Sequence, residues 1–160
     1  MKRIFIVLAV ISFVLVGCSE ELDDQTREPT TDWEQTIYGT VNNLEGVTMI
    51  VKEGTVTSTG LTVTFENNYN KQIIYGEYYL LEKKIKGKWY QVPFAFDGNP
   101  AFNDIGYSLD SSVAKEWQVK WEGLYGSIDH GEYRIVKEML DFRNAGGYDK
   151  YHLTAEFTVD

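Results

Sequence analysis

Few side chains in this 160-residue chain have the types and spacing that covalent chemistry needs. Ser112 and Lys115 stand three apart, the spacing at which a lysine amine one helical turn away eases deprotonation of a serine hydroxyl. The pair leads straight into a strand-like stretch around Trp117, and no Ser-Asp-Asn or Lys-Thr-Gly segment accompanies it. His130 and His152 are the only histidines. His130 falls in a turn and His152 on the wet side of a strand, and neither has a partner at a metal-binding spacing, so both read as surface groups. Asp97, Asn99, Asn103 and Asp104 could offer oxygen ligands to calcium, but their spacing matches no calcium loop and hydrogen-bonded turns are expected. The one cysteine, Cys18, excludes an internal disulfide and a multi-cysteine zinc site. The expectation is a protein that is not an enzyme, with no catalytic residue, no metal and no cofactor.

Other side chains suit recognition. Residues 94–107 form a long connection rich in oxygen side chains and in the aromatics Phe94, Phe96, Phe102 and Tyr107. These rings either plug one end of the fold or form a recognition patch, with Phe96, Phe102 and Tyr107 as candidate ligand contacts. Lys83, Lys84, Lys86 and Lys88 crowd one hairpin. Such a cluster either keeps an edge soluble or contacts anionic wall polymers or lipid headgroups. Tyrosine occurs 11 times, more than one small core needs, so some rings should lie where they can stack on sugars or protein. A net charge of −9 and a pI of about 4.7 exclude sequence-independent binding to nucleic acid.

The elements that would position these groups divide the chain in three. Met1-Lys2-Arg3 and the apolar run from Ile4 to Val16 read as a signal peptide over 1–17, the run being shorter than the roughly 20 residues of a membrane span. Residues 18–44 hold Glu20, Glu21, Asp23, Asp24, Glu28, Asp32 and Glu34 against Arg27 alone, the composition of a solvated tether. Trp33, Ile37 and Tyr38 are its apolar exceptions and are expected to dock its end on the folded part. From 45 to 160 the pattern has period two. Leu61, Val63 and Phe65 alternate with polar residues, as do Trp117, Val119 and Trp121, and Leu153, Ala155, Phe157 and Val159. Ile73 to Ile85 reads as one central strand, and Lys86-Gly87 as a hairpin turn. About seven strands with frequent turn signals predict an all-β, antiparallel sandwich.

Three resemblances give these expectations an address and a family. Leu15-Val16-Gly17-Cys18 resembles the lipobox of bacterial lipoproteins, which implies cleavage before Cys18 and a diacylglyceryl group on its sulfur. Two acyl chains anchor where one binds only marginally. Gly131-Glu132-Tyr133 resembles a tyrosine corner, with Tyr133 as the structural residue. The stretches Leu61–Asn67, Gly87–Pro93 and Gly131–Lys137 together resemble a bacterial immunoglobulin-like domain of Gram-positive lipoproteins and secreted proteins. The resemblance implies an immunoglobulin-like β-sandwich held outside the cytoplasm on the bilayer. There it would serve as a binding module for a protein or cell-wall glycan or, alternatively, as a regulatory or protective accessory on a membrane or wall enzyme.

Overall fold

Alternation of apolar and polar side chains translates into strands with one buried face wherever the run is bounded by turn residues. The computed structural model describes residues 32–143 and 146–160. Leu15, Val16, Gly17 and Cys18 lie outside the described residues. The elements are β1 (Val47–Val51), β2 (Gly60–Asn67), β3 (Ile73–Tyr75), β4 (Tyr79–Ile85), β5 (Lys88–Gln91), β6 (Tyr107–Leu109), β7 (Val113–Lys120), the single turn α1 (Glu122–Tyr125), β8 (Gly131–Phe142) and β9 (Tyr148–Val159). One antiparallel sheet runs β1-β2-β7. The other is built on β8, with β9 along one edge and β4 and β3 successively along the opposite edge, flanked by β5 and β6.

The runs around Leu61, Trp117 and Leu153 are strands, as are the two arms of the Lys86-Gly87 turn, and two strands go beyond the expectation. The run from Ile73 to Ile85 is not continuous: Ile74 pairs with Leu140 and Tyr79 with Lys137, so residues 75–78 lie opposite only 138 and 139. This bulge splits the expected central strand into β3 and β4. The second addition, β6, forms at the end of the long aromatic connection and pairs with β3. The β4–β5 hairpin closes at Lys86 and Gly87, both with positive φ (50° and 78°), as a type I′ turn demands.

Between the sheets, Val63, Phe65 and Val119 pack against Leu81, Ile135, Met139 and Leu153. Trp121 is fully buried, stacks on Phe157, and its indole N–H donates to the Ser58 carbonyl at 2.9 Å. Each such side chain withdrawn from water contributes roughly 1.5–3 kcal/mol. The buried Tyr133 hydroxyl donates at 2.9 Å to the carbonyl of Asp129, four residues upstream, and so ties the turn before β8 to the strand. Tyr133→Phe should therefore lose about 1 kcal/mol of stability with no change of fold, read from the midpoint of urea denaturation.

Ahead of β1 the described residues begin at Asp32 and pack on the larger sheet. Glu34 and Thr36 exchange backbone hydrogen bonds with Gln91 and Trp89, adding a short pairing to the outer edge of β5. The segment ends at the far edge of β9, where the Asn42 side chain accepts from the Thr154 N–H at 2.7 Å and donates to its hydroxyl at 3.0 Å. Residues 34–42 thus strap the outer face of the larger sheet. Trp33 packs against the core and Tyr38 lies over His152, with ring centroids 4.6 Å apart, whereas Ile37 points to solvent. His152 is correspondingly half-buried beneath the strap and not on a wet face, and burial lowers its pKa.

Candidate functional site

The bulge between β3 and β4 organises the surface beside it. Lys137 on β8 is wholly buried, and its Nζ donates to the carbonyls of Gly76 and Tyr78, which the bulge leaves without strand partners. The ammonium sits 4.5 Å from the centre of the Trp117 ring. Desolvation brings its pKa down to about 7 against the attraction of Glu138 and Glu77. The same bulge presents Glu77 to the long connection between β5 and β6. There the Tyr107 hydroxyl and the Asn103 side-chain amide donate to its two carboxylate oxygens at 2.8 and 3.0 Å. These bonds hold the Glu77 pKa below, and the Tyr107 pKa above, its ordinary value.

Glu77 thereby clamps the aromatic connection onto the sheet, and Phe102 fills the join. Its ring stands edge-on to Tyr78 and Tyr79, at centroid distances of 5.2 and 6.0 Å. A groove of about 300 Å³ opens on one side of it, floored by Ile74, Ile105 and Leu140, with Tyr78, Glu77 and Glu138 on its walls. Tyr78 and Ile105 keep 43% and 47% of their surface in solvent. On the other side a cleft of about 370 Å³ runs along β7, lined by Tyr79, Trp117 and Leu124.

The residues expected to form a site are divided by this arrangement. Phe94, Phe102 and Tyr107 pack against the core, as plugs do, whereas Phe96 stacks on Phe94 and remains 41% exposed. The four lysines do not act as one patch. Lys83 donates to the His130 carbonyl at 3.3 Å and lies over the Tyr133 ring, and Lys84 lies over Trp89 and 3.7 Å from Glu132. Of the four, only Lys86 and Lys88 at the turn are exposed. Ser112 occupies a turn with φ 62°, while the Lys115 amine reaches the Ser108 carbonyl and the rings of Tyr75 and Tyr107. Among the described residues no three His, Cys, Asp or Glu side chains converge as a metal ion requires.

The profile of the family described as bacterial Ig-like domain matches residues 43–158. The chain belongs to this family. No curated protein and no solved structure matches the chain. The bacterial Ig-like domain runs from ahead of β1 to the last residue but one of β9, so the bulge lies within it. Such domains serve in general as extracellular binding modules and not as catalysts, and the particular ligand is set by the surface each one carries.

Sequence reasoning missed Glu77, Tyr78 and Lys137. The signal for Glu77 was present as an acidic residue, preceded by glycine, inside an otherwise apolar run. Nothing in sequence marked Tyr78 among the other tyrosines.

Proposed function

We propose that this Ig-like domain is held on the outer face of the cell membrane by a diacylglyceryl group on Cys18 and binds a glycan of the cell wall. Leu15-Val16-Gly17-Cys18 supports the anchor. The observation that carries the ligand is the groove beside Phe102: an exposed Tyr78 ring able to stack on a sugar face, with the carboxylates of Glu77 and Glu138 on the same walls to accept sugar hydroxyls. The apolar floor of Ile74, Ile105 and Leu140 favours a second reading, in which a protein, such as a membrane or wall enzyme, docks there and the chain acts as its accessory.

Two variants test the proposal. Growth with a radiolabelled fatty acid should label the wild type and leave Cys18→Ala unlabelled, and an unlabelled wild type or an equally labelled variant would sink the anchor. Tyr78→Ala should reduce retention on purified wall material at least fivefold at a temperature where its circular dichroism still matches that of the folded wild type. Equal retention of both forms would remove the glycan reading. A photocrosslinker in place of Ile105 that then captured a single protein in intact cells would favour the second.

A further inference from the structure

The sandwich has several open strand edges, and the chain covers two of them itself. Glu34 and Thr36 pair with β5, and Asn42 staples β9. The outer edge of β7 is treated differently. The Trp121 N–H donates to Thr59 at 3.0 Å, and β7 pairs with β2 in a continuous antiparallel register. Hydrogen-bonded pairs alternate along such a ladder, so Val113, Lys115, Trp117 and Val119 turn their backbone groups to β2. Ala114, Glu116, Gln118 and Lys120 turn theirs outward. Among the described residues the only bond to that edge is from the Tyr79 hydroxyl to the Lys120 carbonyl, at 3.1 Å. The cleft lined by Trp117, Gln118, Val119 and Lys120 keeps the approach open.

We infer that β7 pairs edge to edge with β7 of a second copy of this chain, antiparallel about a two-fold axis through Gln118. Charge selects this register. With Gln118 opposite Gln118 of the other copy, Glu116 faces Lys120 and Lys120 faces Glu116, so two opposite-charge pairs form across the axis. Centring the axis on Glu116 or on Lys120 sets like charges against each other. Both side chains are exposed, and Glu116 already holds Lys52 through one carboxylate oxygen at 2.6 Å, leaving the other oxygen for a partner. On the opposite face of the strand Trp117 and Val119 are already packed against their own core, so the interface rests on the backbone ladder and the two charge pairs. The result is an isologous interface in which a three-stranded sheet becomes a continuous six-stranded one.

Sedimentation equilibrium of the full-length chain in detergent tests the inference with a charge exchange. Glu116→Lys and Lys120→Glu should each weaken self-association about tenfold, because each sets two like-charge pairs across the axis. An equimolar mixture of the two variants should restore association as a mixed dimer, since every Lys then faces a Glu. Gln118→Pro removes an outward N–H that β2 does not use, and should give a monomer with an unchanged unfolding midpoint. A monomeric wild type, single variants that associate as the wild type does, or a mixture no tighter than its components would each overturn the inference.

Discussion

Glu82→Ala should cost about 3–5 kcal/mol of folding stability, as much as truncating a fully buried aromatic ring of the core. Glu82 on β4 and Arg134 on β8 are directly opposite each other, with Nε to Oε2 at 2.6 Å and side-chain exposures of 0% and 6%. The pair lies on the outer face of the larger sheet, which would be wet if residues 34–42 did not cross it. Arg134 also stacks over Trp89, at 4.6 Å, and donates to the Thr36 hydroxyl at 3.1 Å, so the guanidinium ties the strap to the sheet. Truncating Glu82 leaves a buried cation without its counter-ion. Arg134→Ala should cost a similar amount by stranding the carboxylate, whose Oε1 has no hydrogen-bond partner among the described residues. The pair as a whole is worth much less. Burying two charges roughly offsets their attraction, so Glu82→Leu with Arg134→Leu should lie within about 1–2 kcal/mol of the wild type. A double-mutant cycle in urea measures the difference, and single losses below 1 kcal/mol would mean that water reaches the pair beneath the strap.

That strap also explains where the sequence was legible and where it was not. The strands of the three-stranded sheet read directly from alternation because their outer face is open to solvent. On β8 the alternation fails, because Tyr133, Arg134, Ile135, Val136 and Lys137 are all buried: odd positions face the other sheet and Arg134 faces the strap. The strap itself reads as tether, since Asp32 and Glu34 share the acidity of the residues before them. It docks largely through main-chain hydrogen bonds and Asn42, which composition does not reveal. The candidate site was half visible. The aromatic connection announced itself, but the clamp depends on Glu77, and Glu77 depends on a lysine 60 residues later in the chain. Pairing at that distance leaves no periodic trace.

Lys137 gives the domain an unusual dependence on pH. Its pKa is about 7 when folded and near 10.5 when unfolded. Between these values the unfolded chain binds more protons, so stability rises with pH by up to about 1.4 kcal/mol per unit. The contribution is complete above 10.5 and is lost as pH falls through 7. Other shifted groups act outside this window. Tyr38 is pushed up to about 12, and Tyr75, Tyr78, Tyr79, Tyr107 and Tyr125 are also raised, so their stabilising share is full below 10 and fades only above it. Lys71 and Lys150 are raised from 10.5. The lowered carboxyl of Glu77 and imidazole of His152 matter on the acid side. From pH 7 to 9.5 the wild type should therefore gain about 3 kcal/mol in urea denaturation, and Lys137→Met should gain almost nothing. An equal gain in both would show that Lys137 is not the group responsible. At pH 7 the variant should still be less stable, despite shedding a costly buried amine, if the two bulge carbonyls matter more than that amine's desolvation. The neutral amine keeps two N–H donors, so Gly76 and Tyr78 stay satisfied through the titration. The Glu77 clamp on the aromatic connection should then hold across this range in the wild type and loosen at every pH in Lys137→Met.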